Sequence, residues 1–541
     1  MVALPPRIRV IAGRTLTVLA CLLVVAALVV PDNLDLLGPA VFLRIPVEAV
    51  VGVALVLVLR RVARTIVAVL AGVLLGLLTI VKLVDMGFFV AFGRPFNLVF
   101  DWSFLGPALS LVGNEVVTVI LLAVAVLALL ALTTWAALRM TRLAVGHRRV
   151  SFKVVAVLAV IWIGCAVFGA QFRDGAPFAS RATAALAYRD ARAVGSDLHD
   201  KSAFAQQMSV DAFRGTSDDQ LLTALRGKNV ILTFVESYGR VAVQDSDIAP
   251  RIDAMLDAGT QTLKSAGFDS RSAFLTSSTT GGGSWLAHGT LESGLWVDNQ
   301  QRYTTLTGSD RLTLSSAFKS AGWRTVNDQP SNMTDWPEGR FYGYDKLYDF
   351  RNSGYHGPSF SYASTPDQYT MKALQDAELS TPDHPPVWAE IDLVSSHWPW
   401  APLPRMVDWN ALGDGSVFDP MPAQGKQLAD VWSSPANVRA AYADSIQYSL
   451  TTLISWLRNY GDDNTVLVFL GDHQPNTAVT GSDSVSRDVP ITIVSKDHAV
   501  LDRIANWNWQ PGLRPGPQAP VWPMDAFRDR FLTAYGPPAR H

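Results

Sequence analysis

Asn229-Val230-Ile231-Leu232-Thr233-Phe234-Val235-Glu236-Ser237 is an unbroken β-branched and aromatic run that closes on a carboxylate and a hydroxyl. A second run of the same make, Thr465-Val466-Leu467-Val468-Phe469-Leu470-Gly471-Asp472-His473, closes on a carboxylate and an imidazole. Runs of this kind, apolar without alternation, read as strands covered on both faces of a parallel sheet. Open α/β sheets bind their ligands at the carboxyl ends of such strands. Glu236, Asp472 and His473 are therefore candidate ligands of one divalent ion, and carboxylate with imidazole suits Mn²⁺, Mg²⁺ or Zn²⁺.

Outward from these two runs, strands alternate with amphipathic helices. Strands are expected at Val230–Val235, Arg324–Asn327, Val387–Val394, Thr465–Leu470 and Pro490–Val494, and helices at Ile252–Ala266, Trp285–Glu292, Leu312–Ala321, Thr370–Glu378 and Asn437–Tyr460. This βαβα order predicts an α/β domain with a mainly parallel sheet over residues 229–541.

Upstream the composition changes. Across 541 residues the charged share is 17%, below the roughly 25% of soluble proteins, and the apolar excess lies near the N-terminus. Five stretches, Leu16–Val30, Ile45–Leu59, Thr65–Phe89, Val116–Leu138 and Val154–Ala170, are read as membrane spans, giving a five-span helical bundle over residues 1–172. Basic residues fall in alternate loops: Arg7, Arg9 and Arg14, then Arg60, Arg61 and Arg64, then Arg139, Arg142, Arg148, Arg149 and Lys153. By the positive-inside bias this predicts a cytoplasmic N-terminus and an extracytoplasmic C-terminal domain, and the excess of Arg over Lys with abundant Ala, Val and Gly points to a bacterial cell (inner) membrane. Residues 173–228 carry helical periodicity at Ala182–Val194, Asp200–Met208 and Asp218–Leu225, and are read as a juxtamembrane connector. The net charge of -2 offers no basic surface and sets nucleic acid aside as a partner. The two cysteines, Cys21 and Cys165, lie in apolar segments, so the outer domain has neither disulfides nor a cysteine zinc site.

Between the two strand tips stands Thr279-Thr280-Gly281-Gly282-Gly283-Ser284-Trp285-Leu286-Ala287-His288. The glycines allow close backbone approach, and Ser284 falls at a helix N-terminus, where free N–H groups favour oxyanions. A serine hydroxyl needs a base, a lowered pKa or a metal to become a nucleophile, and the candidate ion would serve. An ordinary glycine-rich loop with a serine N-cap would carry the same residues.

The ordered set Glu236, Ser284 and Asp472-His473 behind five apolar spans resembles the lipoteichoic acid synthase type of phosphoglycerol transferase, within the sulfatase and alkaline phosphatase superfamily. The resemblance implies that Glu236, Ser284, Asp472 and His473 hold one ion, manganese in the first instance and magnesium or zinc as alternatives. It also implies that Ser284 carries the phosphoglycerol as a covalent ester. The family usually has threonine there, so Thr279 and Thr280 remain candidates. His397, which closes the Val387–Val394 strand before a proline, is similar to the family's phosphate-contacting histidine; a satisfied buried histidine is the alternative. Trp336 and Arg340 resemble its headgroup loop with altered spacing, a structural loop being nearly as good a reading. His288, four residues after Ser284, shares its helix face and is a candidate substrate contact.

The implied reaction takes phosphoglycerol from a membrane phospholipid, phosphatidylglycerol, to a cell-envelope glycan or polymer. Ser284-Trp285-Leu286-Ala287-His288 lacks the proline and arginine of a sulfatase nucleophile motif, and the cysteine-free outer domain argues against a phosphoethanolamine transferase. Those activities, with a phosphodiesterase of the same superfamily or a catalytically silent envelope-binding relative, are the alternatives.

Overall fold

The 229–235 run forms the centre of the molecule's largest sheet because each of its two faces meets a different apolar layer. In the computed structural model, which describes residues 6–92, 94–99, 101–104, 115–172, 177–381, 383–482 and 485–537, Ile231 and Val235 enter one core, and Val230, Leu232 and Phe234 the other. Residue 173, where the connector is expected to begin, and His541 lie outside the described residues.

Nine strands build this sheet: β1 Asn229–Val235, β2 Asp269–Thr276, β3 Arg324–Gln329, β4 Lys346–Asp349, β5 Val387–Leu393, β6 Thr465–Gly471, β7 Asp488–Ser495, β8 Gln510–Pro511 and β9 Val521–Pro523. Their order is β8-β2-β7-β6-β1-β5-β3-β4, with β9 alongside β2. Strands β6, β1, β5, β3 and β4 run parallel, and β7 is antiparallel to both β6 and β2. The sheet is thus mainly parallel, as the βαβα order predicts. Strand β2 is absent from the sequence reading because Asp269, Ser270, Arg271 and Ser272 interrupt its apolar run; its pairing with β7 along the whole length supplies what the pattern lacks.

The chain divides into two units, Met1–Asp200 and Lys201–His541. In the first, helices α1 Pro6–Val29, α2 Val47–Val58, α3 Arg61–Phe92, α4 Glu115–Gly146 and α5 Arg148–Val167 follow one another. Four of these, all but α2, are long and apolar enough to cross a membrane. The expected second span is the correction: α2 has 12 residues, about 18 Å of helix against a hydrocarbon core of about 30 Å. Pro46 precedes its first turn, and the Arg64 guanidinium closes its end by donating to the carbonyls of Val56 (2.8 Å) and Leu59 (2.7 Å). Helices α3 and α4 approach closely through small residues: a Cβ on Gly72 would lie 2.5 Å from Thr134 Cα. Lys82 and Asp85, one turn apart on α3, do not pair with each other. Lys82 donates to Ala27 O (2.9 Å) and Thr183 Oγ1 (3.0 Å), while Asp85 accepts from Phe96 N (2.9 Å) and meets Arg189 (3.0 Å).

The first two connector stretches form one helix, α6 Ala182–Ser209. Asp218–Leu225 is turns closed by a short 3₁₀ segment, Thr223–Leu225, because Leu222 takes a left-handed φ of 53° while Leu221, Leu222 and Leu225 are all buried.

In the second unit the sheet is covered on both sides. Helices α7 Ala249–Ser265 and α9 Pro435–Tyr460 supply Ile252, Leu256, Ile446, Leu450 and Leu453 to the core of Ile231 and Val235. The opposite core takes Ala287 and Leu291 from α8 Ser284–Ser293.

Candidate active site

Register brings the two strand tips level. Strands β1 and β6 pair in parallel with Val235 opposite Gly471, so Glu236 and Asp472 leave the sheet side by side. Gly471 makes this approach sterically feasible, since a Cβ there would sit 1.9 Å from Tyr238 O. Beyond β1 the chain turns at Ser237, whose φ is 57°. That turn is held by Tyr442 of α9, which donates to Ser237 O (2.8 Å), and by Ser396 Oγ, which donates to Glu236 O (2.6 Å).

Ser284 arrives from the third side. Gly281, Gly282 and Gly283 have φ of 71°, 154° and 80°, the left-handed region that glycine enters freely. Gly281 N donates to Gln474 O (2.9 Å) and Ser277 Oγ to Asp472 O (2.6 Å), which pins the loop to the tip of β6. The N-cap of α8 is Gly283, and Ser284 is the first helical residue. Its hydroxyl faces the strand tips, 3.1 Å from Glu236 Oε2 and 3.3 Å from His473 Nε2. Of the alternative hydroxyls, Thr279 donates to Gly282 O (2.5 Å) within the loop, and Thr280 is exposed.

The remaining bonds fix which atoms face the centre. His473 Nδ1 lies 2.8 Å from Gln474 O, so an Nδ1–H donor leaves Nε2 with its lone pair toward Ser284. Asp472 Oδ1 accepts from Ser237 N and His473 N, both at 2.7 Å, and Ser237 Oγ donates to Glu236 Oε1 at 2.8 Å. Oriented, outer-bonded ligands of this kind are what a metal site requires. One ligand atom from each of Glu236, Asp472 and His473 lies within 4.8 Å of the others. Burial, and then the charge of Glu236, push the Asp472 carboxyl up to about 6. Burial works against Glu236 too, but His397 and His473 hold it below the ordinary carboxylate range. Two buried carboxylates and an imidazole with no lysine or arginine paired to them among the described residues fit a divalent cation well.

The other expected residues divide. His397 borders the cluster, where its charge acts on Glu236, and its ring stacks on Tyr362 at 3.5 Å. It is half-buried, with Nδ1 2.6 Å from Trp398 O, and so differs from a fully buried structural histidine. Arg340 is exposed, in the short helix Gly339–Tyr342, and Trp336 stacks on Tyr342 at 5.4 Å. No hydrogen bond or ion pair among the described residues links either to Ser284 or the strand tips. The nearby Asp335 is paired with Arg351 (2.8 Å). His288 is 8% exposed and stacked on Phe234 at 3.8 Å, and it faces Glu390 and Asp392 of β5. Burial pushes the His288 imidazole down to about 4. Glu390 and Asp392 escape the sequence reading, although two carboxylates inside an otherwise apolar strand were themselves the available signal.

Residues 261–493 match the sulfatase family model; the match includes Ser284, His397, Asp472 and His473, and begins after Glu236. No curated protein matches the chain. Among solved structures, the chain is similar to the lipoteichoic acid synthase LtaP from Listeria monocytogenes, at 15% identity over 54% of this chain and 71% of that one, with a TM-score of 0.37. It is similar to the Streptococcus pyogenes phosphoglycerol transferase GacH in complex with sn-glycerol-1-phosphate, at 14% identity over 63% of this chain and 91% of that one, TM-score 0.35. A third is the C-terminal periplasmic domain of EcEptC from Escherichia coli, at 14% identity over 57% of this chain and 82% of that one, TM-score 0.36.

Proposed function

We propose that this protein is a membrane-anchored, metal-dependent phosphotransferase that moves phosphoglycerol from a phospholipid to an envelope acceptor through Ser284. The observation that carries the reading is the position of the Ser284 hydroxyl, 3.1 Å from Glu236 and 3.3 Å from His473 at two paired strand tips. Glu236, Asp472, His473 and Ser284 would hold the ion, with manganese the first choice. When bound, the ion supplies Lewis-acid polarisation of the hydroxyl and offsets charge on the phosphate.

The serine oxygen bonds to phosphorus as the phosphorus–oxygen bond to diacylglycerol breaks, and the hydroxyl proton ends on the departing oxygen. A phosphoglyceryl-serine ester remains. An acceptor hydroxyl then forms its own bond to phosphorus, and the serine recovers its proton. Catalysis of this type is chiefly positioning and electrostatics. His397 beside Glu236 is proposed to contact the phosphate. Arg340, exposed and without an ion pair among the described residues, and Trp336 are proposed for the headgroup or acceptor side. The domains are read as a membrane region to residue 172, a connector to 228 and an extracytoplasmic catalytic domain beyond.

The test is mass spectrometry of the full chain in detergent after incubation with Mn²⁺ and vesicles of either phosphatidylglycerol or phosphatidylethanolamine. A glycerophosphate adduct on the Ser284 peptide, absent from Ser284→Ala, is the expected result. A phosphoethanolamine adduct would transfer the assignment to the other headgroup, and no adduct from either lipid would leave the silent binding relative as the better reading.

A further inference from the structure

A second group of ligand-type side chains lies under α8. His288 and Glu292 are four residues apart on that helix, hence on one face, and Glu390 and Asp392 are two apart on β5, hence on one face of the sheet. That face carries Trp388 and, on β1, Phe234, both in the core that α8 covers. In register, Phe234 stands beside Asp392 and Asn327 of β3 beside Glu390.

His288 Nδ1 is 3.7 Å from Glu390 Oε1 and 3.7 Å from Asp392 Oδ1. That is too long for a hydrogen bond. It is close to the spacing of two ligands sharing one ion, since bonds of about 2.1 Å at a tetrahedral angle separate their ends by about 3.4 Å. The three ligand atoms lie within 4.8 Å of one another.

Independent of that spacing, the pocket contains polar atoms with nothing to bond. Asn327 is 1% exposed, and neither its Oδ1 nor its Nδ2 has a hydrogen-bond partner among the described residues. Asp392 Oδ1 and His288 Nε2 are buried and equally unpartnered, while the Glu292 carboxyl meets that of Glu390. The bonds that do exist hold the group in shape: Tyr344 OH donates to Glu390 Oε2 (2.7 Å) and Ser315 N to Glu292 Oε2 (2.9 Å). Among the described residues no lysine or arginine pairs with Glu292, Glu390 or Asp392. Buried polar atoms are normally satisfied and buried carboxylates compensated. A cation here would compensate the carboxylates and take up the oxygens Asp392 Oδ1 and Asn327 Oδ1.

We propose that His288, Glu390 and Asp392, with Asn327 beside them, form a second divalent-cation site of Mn²⁺ or Zn²⁺ type, next to the one at Glu236, Asp472 and His473. Neutral imidazole with carboxylate and amide oxygens suits those ions. The site neighbours the first, so its cation adds positive potential where the phosphate would bind.

The readout is ion count. The full chain in detergent is stripped with chelator, given Mn²⁺ alone, desalted and measured by elemental mass spectrometry. Two ions per chain are expected in the parent protein, one in Asp392→Asn and one in Glu236→Gln, with the double variant near zero. One ion in the parent, unchanged by Asp392→Asn, would overturn the proposal. Manganese electron paramagnetic resonance of the unmodified chain gives a second reading that needs no variant: spin–spin broadening on adding the second equivalent is expected. A second equivalent that stays as free aqueous Mn²⁺ would reject the site.

Discussion

The nucleophilic role proposed for Ser284 rests on neighbours that arrive from other strands, so its substitutions should separate chemistry from folding. Ser284→Ala removes the hydroxyl and is expected to lower transfer more than about a thousand-fold, with far-ultraviolet circular dichroism unchanged. Ser284→Thr keeps the hydroxyl at the first residue of α8 and should retain measurable turnover in a lipid-release assay. Gly471 tests the strand tip. A Cβ there would fall 1.9 Å from Tyr238 O, so Gly471→Ala should cost about 1–3 kcal/mol and displace Asp472. Calorimetry would register the stability loss, and titration with Mn²⁺ a weaker first site; full ion affinity in this variant would count against the close approach that we describe. At this scale the sequence was informative where chemistry sat at the end of an apolar run, as in Glu236 and Asp472-His473. For Glu390 and Asp392 it offered only two carboxylates inside an apolar strand, and their meeting with His288 depends on α8 lying across β5.

Whole elements are pinned by buried ion pairs, and the last helix, Ala526–Tyr535, is the clearest case. Its Arg528 meets Asp211 at 2.6 Å, the two side chains being 0% and 1% exposed, and Arg311 adds a second contact at 3.3 Å. Arg528 also donates to the carbonyls of Ser293 and Leu312, both at 2.7 Å, which ties this helix to the end of α8. Burial tends to raise the Asp211 carboxyl, but Arg528 and then Arg311 hold it below the ordinary range. A carboxyl lowered on folding stabilises above its unfolded value of about 3.9, and that stability is lost as pH falls through the folded value. Asp211→Asn should therefore destabilise by about 3–5 kcal/mol near neutrality, because two guanidinium groups stay buried without their partner. The difference from the parent should shrink below about pH 4. Urea melts at a series of pH values read both quantities, and a constant difference down to acid pH would contradict the assignment. Element boundaries followed the sequence closely for β1, β5 and β6, where apolar runs are continuous. They held within two residues for α2, whose 12 residues are nonetheless too few for the expected span, and failed for Asp218–Leu225, where tertiary burial of three leucines overrides helical spacing.

For the whole molecule, the side on which the N-terminus lies turns on α2. Crossings by α1, α3, α4 and α5 alone would return the chain to the side of its N-terminus. The basic loops at Arg60–Arg64 and Arg139–Lys153 agree with an extracytoplasmic C-terminal domain in either case, but Arg7, Arg9 and Arg14 join them on the cytoplasmic side only if the segment around α2 also crosses. Alkaline phosphatase fused after the last helix should be active and a cytoplasm-dependent fluorescent protein dark; the reverse pattern would put the domain inside and exclude a periplasmic or surface acceptor. Composition and periodicity by themselves determined that an apolar helical region precedes an α/β domain, and that two of its strands end in ligand-type residues. Those properties are local, because apolar periodicity and the residue at a strand's end are written along the chain. What only the tertiary structure decided is which tips are adjacent, that the triple glycine delivers Ser284 rather than Thr279 or Thr280 between them, and that His288 turns from the serine toward Glu390 and Asp392. Strand order, register and the lie of a helix over a sheet depend on contacts between residues far apart in the chain, and no single segment encodes them.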